Sequence, residues 1–339
     1  MATRYACSAV EKLRLHPLIE PVTGNTFIIK GGWANGFVFV PRPKERKCVI
    51  IDPGTCKSME RSYQDRFVTV FRSVVKGLSD RNEKNGARQH NKSELLSDAL
   101  KAFSDIRSVS TDSMADSFLE RMSIILSIVK ETGVSVDAVL ATHHHIDHLG
   151  VGQSLAVELG VKCFLPEPEI LADNGEKTVA YPIRQKPGEF ENLDVGPGPH
   201  GIRVLDIGGH TKMFGFLLPD GSFIIGDLVG SDGMWTHSVL YMEDTGKHLR
   251  SLHMAKALTY DRMLLSHGTA HILAREDAVE LVELNIRKVN LAMLAARKNE
   301  SVLAAAADYL KSAGGDADNI GNLLITARHI GAYNYRECF

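Results

Sequence analysis

No apolar run in this 339-residue chain approaches the roughly 20 residues that a helix needs to cross a bilayer, which sets membrane-spanning classes aside. An excess of charge of one sign is missing too. Lys and Arg number 39 against 41 Asp and Glu, a net charge of −2, so no global field draws the protein to nucleic acid or anionic lipid. Cysteine is sparse: Cys7, Cys48, Cys56, Cys163 and Cys338 form no Cys-x-x-Cys pair. An odd, scattered set argues for reduced thiols and a cytoplasmic protein rather than a disulfide framework. The first residues lack the apolar core of a secretory signal, which agrees with that compartment. Aromatic residues are thin at 7%, and none interleaves the basic residues Arg81, Lys84, Arg88 and Lys92. With Asp80 and Glu83 among them, those four read as a solvated loop rather than a base-stacking surface. What remains, 44% hydrophobic and 24% charged, is the composition of an ordinary globular chain.

Histidine, by contrast, is concentrated. Residues 142–150 read Thr-His-His-His-Ile-Asp-His-Leu-Gly and place His143, His145, Asp147 and His148 within six positions, with His144 and Ile146 as spacers. Imidazole and carboxylate suit zinc and other first-row divalent ions. Four side chains on so short a loop cannot all converge on one tetrahedral ion. Two adjacent ions solve the problem, one served by His143 and His145 and the other by Asp147 and His148. The apolar run 136–141 before this loop reads as a buried strand. Val151, Leu155 and Leu159 after it recur at helical spacing and stop at Gly160. A strand-to-helix loop braced on both sides is the support such a constellation needs.

Three later segments share one pattern, an apolar run ending at a glycine with His or Asp. Val204 to Gly209 leads into His210, Phe223 to Gly226 into Asp227, and Met263 to Ser266 into His267, which precedes Gly268. Each alone is weak, but together they could complete two ligand sets.

On these motifs the chain resembles the metallo-β-lactamase-fold hydrolase superfamily. The resemblance rests on THHHIDHLG at 142–150, GGHT at 208–211, GDLV at 226–229 and SHGTAH at 266–271. Asn35 to Phe39 and the Ile-Ile-Asp-Pro-Gly run at 50–54 match the family's opening strands. The resemblance implies an α/β fold, a four-layer αββα sandwich with the site at one edge where both sheets end. It implies that His143, His145 and His210 hold one ion, that Asp147, His148 and His267 hold the other, and that Asp227 bridges them. The ions are expected to be zinc, with iron and manganese also compatible. They would share an acidified water or hydroxide as nucleophile, and Asp147 is expected to orient it and handle its proton. Asp52 is open between support of a ligand histidine and an ordinary turn residue.

Along the chain, strands are expected at 26–30, 36–40 and 48–52, and helical patterns at 59–75, 94–103 and 114–130. The last three form a helical insertion or enlarged first helical layer over about 57–130, with a polar loop at 79–93. Residues 182–199 read as a surface connection ending at His200, a bystander. Trp235, His237 and Tyr241 are candidate substrate contacts or packing residues. The catalytic domain is placed at 1–271 and a C-terminal helical extension at 272–339. In that extension Val279, Val282, Ile286, Val289 and Met293 form an apolar stripe, 301–312 is alanine-rich, and 319–330 is a third helix. Such helices could cap the site or form a homodimer contact.

The expected activity is hydrolysis of a small-molecule thioester, ester or lactone, similar to the glyoxalase II group, although that group's basic glutathione-binding C-terminus has no counterpart here. The alternative is a phosphodiesterase or endoribonuclease. A non-catalytic regulatory protein is disfavoured by the complete ligand set.

Overall fold

The computed structural model describes residues 8–58, 111–166, 181–182, 191–193, 200–230, 240–268, 271–299, 302–315, 326 and 329–330. The expected helices at 59–75 and 94–103, the polar loop at 79–93, Trp235, His237, Cys7 and Cys338 lie outside them.

Two sheets form the centre. The first has seven strands in sequential order: β1 (Ile19–Pro21), β2 (Thr26–Ile29), β3 (Gly36–Arg42), β4 (Lys47–Ile51), β5 (Ser135–Leu140), β6 (Lys162–Leu165) and β7 (Tyr181–Pro182). The second runs β13 (Ile272–Ala274), β12 (Arg262–Leu264), β11 (Ser222–Ile224), β10 (Phe214–Leu217), β9 (Ile202–Asp206) and β8 (Glu191–Leu193). Hairpin neighbours pair antiparallel, whereas β4–β5–β6–β7 and β11–β12 pair parallel.

Alternation along the strands builds the layers, because successive strand residues face opposite sides. Ile28, Phe37, Phe39, Val49, Ile51 and Leu140 point inward and meet Val204, Phe216, Ile224 and Leu264 of the second sheet. Their neighbours Phe27, Ile29, Val38, Val40, Cys48 and Ile50 point outward beneath α1 (Ala9–Leu15), α2 (Thr111–Thr132) and α3 (Gly152–Leu159). On the far side Leu205, Phe223, Met263 and Leu265 pack under α4 (Thr245–Ala257), α5 (Arg275–Lys298) and α6 (Val302–Ser312). Helices, two sheets and helices again make the four-layer αββα sandwich that the motifs imply. None of the described helices is long and apolar enough to cross a membrane.

Local signals account for some of the helix ends. Ser8 opens α1 with a reciprocal capping box: its hydroxyl accepts from the Glu11 N–H, and the Glu11 carboxylate accepts from the Ser8 N–H. Gly160 ends α3 in the left-handed region, as its position in the sequence leads one to expect. The helical pattern at 114–130 lies in α2, which covers the outer face of the first sheet. Beyond His271 the second sheet continues into β13, antiparallel to β12, so a division at residue 271 falls between two paired strands. The apolar face of α5 is set by Ala278, Val282, Val289 and Ala292, with Asn285 buried among them. It is rotated from the stripe of larger side chains, Ile286 and Met293 being only partly buried, because the alanines let the helix approach its neighbours closely.

The inter-sheet layer holds the two halves together, so Phe39→Ala should destabilise the protein by about 3–5 kcal/mol through lost burial and a residual cavity. Denaturant unfolding of the variant against wild type measures this. A change below about 1 kcal/mol would place Phe39 outside the cooperative core.

Candidate metal centre

Five segments bearing the site leave the C-terminal ends of strands at one edge of the sandwich. Asp52 follows β4, the 143–148 loop follows β5, His210 follows β9, Asp227 follows β11 and His267 follows β12. Because β4 and β5 are parallel neighbours, as are β11 and β12, their ends emerge side by side. The Phe214 N–H donates across the sheets to the Thr142 carbonyl (2.8 Å) and brings the two edges together. Asn35 makes a second tie. Its N–H donates to Ser266 O and its side-chain amide to Leu265 O, both at 2.8 Å, holding the strand end that precedes His267.

The structure gathers all seven expected ligands. His143, His145, His210 and Asp227 form one group, and Asp147, His148, His267 and Asp227 the other; within each, the candidate ligand atoms lie within 4.8 Å of one another. Asp227 belongs to both, and its two oxygens divide between them. Oδ2 lies 3.5 Å from His210 Nε2 and 3.8 Å from His143 Nε2. Oδ1 lies 3.1 Å from His148 Nε2 and 3.4 Å from His267 Nε2. Asp147 Oδ2 stands 3.2 Å from His267 Nε2 and 3.8 Å from His148 Nε2. His144 and His200 belong to neither group; His200 faces Asp137 instead (3.4 Å).

Partners behind the rings fix which nitrogen faces the cluster. Asp52, fully buried, accepts from the Thr142 N–H (2.6 Å), the Thr142 hydroxyl (2.8 Å) and His148 Nδ1 (3.0 Å). A carboxylate that only accepts requires His148 to carry its proton on Nδ1. The Thr142 hydroxyl, already donating to Asp52, accepts in turn from His143 Nδ1 (3.1 Å). His210 Nδ1 donates to the Tyr241 carbonyl (2.6 Å). Three Nε2 atoms are thereby aimed inward. Those of His143 and His148 are buried without an aligned hydrogen-bond partner, the state of a ligand atom that fits a cation. Asp52 is therefore a support for the ligand loop and not a plain turn residue. Its backbone sits at φ 48°, an uncommon conformation for a residue with a side chain.

Gly54 completes the brace. Its N–H donates to His148 O (2.8 Å) and its carbonyl accepts from the Val151 N–H (3.1 Å). At φ 61°, with Asp147 O crowding the place where a Cβ would stand, the position admits only glycine.

Electrostatics split the two groups. Burial, reinforced by neighbouring histidines, holds His143 well below the ordinary histidine value and brings His145 down to about 4, so both are neutral at pH 7. Burial also disfavours charge on His148, but Asp227, Asp147 and Asp52 outweigh it and raise that ring well above its usual value. His267 is raised by Asp227 and Asp147, again against burial. Burial would lift the carboxyls of Asp147 and Asp227, yet His148 and His267 override it and keep both lowered. In the metal-free protein, imidazolium protons thus supply the positive charge that three carboxylates demand.

Sequence reasoning passed over Thr142, although it stands in the motif itself, and the clamp at Gly230. Asn285 of α5 accepts from the Gly230 N–H (3.0 Å) and donates to its carbonyl (3.2 Å), three residues beyond Asp227. Tyr241 supplies a carbonyl to His210, and its ring lies 6.4 Å from that of His329, which brings His329 to this side of the site.

Two outcomes follow. Asp52→Ala removes the common acceptor and should weaken zinc binding about 10–100-fold, read by competition with a chromogenic chelator. Unchanged affinity would reduce Asp52 to a turn residue. Metal uptake at pH 7 should also release protons from His148 and His267, so affinity falls as pH falls. Calorimetry in buffers of different ionisation enthalpy reads the proton count, and zero release would refute the charge assignment. In the metal-free protein the same raised values stabilise the fold below the ordinary histidine pKa, a contribution lost as pH climbs through the raised ones.

Comparison with known proteins agrees with this geometry. A family model described as the metallo-beta-lactamase superfamily matches residues 108–267. A hydroxyacylglutathione hydrolase of Alkalilimnicola ehrlichii is 33% identical over 105 residues, which are 31% of this chain and 38% of that protein. Another hydroxyacylglutathione hydrolase, from Aliivibrio salmonicida, is 31% identical over 110 residues, 32% of this chain and 39% of that protein. The chain thus aligns with under two-fifths of the length of these relatives. Among solved structures, a metallo-beta-lactamase family protein from Thermus thermophilus matches with a TM-score of 0.50 at 15% identity, covering 91% of this chain and 93% of that one. At that identity the likeness concerns the fold alone. Residues 108–267 thus match the metallo-beta-lactamase superfamily model, and the two-sheet sandwich and the histidine loop at its edge agree with that match.

Proposed function

We propose that the protein is a dinuclear metal-dependent hydrolase that cleaves a small-molecule thioester, ester or lactone. One observation carries the two-ion reading: the Asp227 carboxylate turns one oxygen to each of two ligand groups, as a bridging ligand does. His143, His145 and His210 would hold one ion, Asp147, His148 and His267 the other, with zinc as the first candidate. When bound, such ions supply Lewis-acid polarisation of the scissile carbonyl and an acidified water as nucleophile. The two curated relatives, named for hydrolysis of hydroxyacylglutathione, a thioester, support acyl transfer as the reaction class.

The chain's own residues have definable tasks. Asp147, held ionised by His148 and His267 and turned to His267 through Oδ2, would accept a hydrogen bond from the attacking water and take its proton on its other carboxylate oxygen. His143 and His145, kept neutral by burial, present lone pairs without first losing a proton. His267, with 36% of its side chain exposed against 15% or less for Asp147, Asp227, His143, His148 and His210, marks the solvent side from which substrate approaches. Asp52 and Thr142 keep the rings of His143 and His148 from turning as charge develops.

Screening the purified protein against a thioester, an acyl lactone, a phosphodiester and single-stranded RNA tests the reading. Thioester or lactone turnover is expected, lost on stringent chelation and restored by zinc or manganese. Asp147→Asn should lower kcat about 10²–10⁴-fold. Cleavage of the phosphodiester or RNA alone would replace acyl transfer with phosphoryl transfer, and turnover indifferent to chelation would remove the metal from the reaction.

A further inference from the structure

Arg121, at the centre of α2, is the largest fully buried side chain among the described residues. Among the described residues no carboxylate pairs with it. Its guanidinium spreads over main-chain carbonyls instead: Nε–H donates to Pro53 O (2.7 Å), Nη1 to Lys30 O (2.8 Å) and Nη2 to Ile29 O (3.5 Å). The chain makes room for it by omitting side chains. A Cβ on Gly32 or on Gly36 would stand 2.9 Å from Nη2. Burial lowers its pKa to about 10, which leaves it charged at neutral pH.

Pro53, which takes the shortest of these bonds, lies between the two residues that grip the ligand loop. Asp52 on one side receives His148 Nδ1 (3.0 Å), and Gly54 on the other donates its N–H to His148 O (2.8 Å). Gly54 also packs against the Asp147 carbonyl. The left-handed backbone of Asp52 needs an outside hold, since its own side chain is committed to the loop. Delocalised charge and a planar fork suit arginine to bridging several carbonyls at once, which lysine cannot do.

We propose that Arg121 is a positioning residue for the Asp147–His148 ligand pair, acting from behind through the Asp52–Pro53–Gly54 turn. The proposal rests on reading His148 as a metal-holding side chain. It ties the helix that follows residues 59–110 to one half of the centre. His145 and His210 belong to the other half, and neither is bonded to the turn. His143 reaches it only through Thr142.

Two readouts on the whole protein test this. The first needs no metal: the imidazole N–H of His148, sheltered by Asp52, should give a downfield, slowly exchanging proton resonance, assigned by its absence in His148→Gln. The second is cobalt(II) titration of the metal-free protein, followed by ligand-field absorption. In Arg121→Met the resonance should broaden or vanish, and one equivalent of cobalt should bind about 10–100-fold more weakly. The other equivalent should stay within about twofold. Arg121→Lys, which keeps the charge and one donor, should recover part of both signals, and it decides the case if Arg121→Met does not fold. A folded variant with the resonance and cobalt uptake unchanged overturns the proposal. So does equal weakening of both equivalents, which would mark a general role in folding. Uptake of a single cobalt by wild type would sink the two-ion reading, while the His148 resonance still judges Arg121.

Discussion

The Asp52 carboxylate is the contact on which the arrangement of this site depends. A buried carboxylate is tolerable only when its lone pairs are filled, and here three donors fill them: the backbone and hydroxyl of Thr142 and the ring of His148. Those bonds join the ends of two parallel strands and fix the tautomer of His148. Through the Thr142 hydroxyl they also reach His143. One side chain at the mouth of β4 thus orients His148 directly and touches the other group at His143 alone, through Thr142. Register makes this possible: Ile51 pairs with Leu140, so the residues that follow, Asp52 and the 141–148 loop, emerge together.

Around that anchor, the cluster is built for a cation. Two carboxylates and the Nε2 atoms of four histidines converge at one edge of the sandwich, with Asp52 behind them. Charge of one kind in a poorly solvated space is costly unless something opposes it. In the metal-free protein the opposing charge is protonic and falls on His148 and His267, while His143 and His145 stay neutral. The two halves therefore differ in what must leave before an ion can enter.

Much of this was legible from residue order, for a physical reason. Ligands on a short loop must be close in sequence, so His143, His145, Asp147 and His148 announce themselves, and strand ends with glycines carry His210, Asp227 and His267. Apolar runs bounded by glycine and proline likewise disclosed β2 to β5 of the first sheet, whereas the sandwich was implied by the resemblance of the motifs. Asp52 was ambiguous because its partners lie 90 and 96 residues away and depend on strand register. Arg121 and Asn285 gave no signal. Each sits in a helix whose periodicity admits a polar residue on the buried face only once the carbonyl or amide it serves is known. Thr142 was hidden in plain view, since a hydroxyl beside four stronger ligands carries no chemistry of its own.

The donors of the centre come from both sheets. The 143–148 loop belongs to the first, while His210, Asp227 and His267 belong to the second. Neither half can assemble a complete coordination sphere alone, so an ion held there acts as a rivet through the seam of the sandwich. Its binding energy adds directly to the work of prying the layers apart. A protein fastened in this way has a lifetime that follows the local supply of metal. Scarcity would then be felt as loosening of the seam between the two sheets.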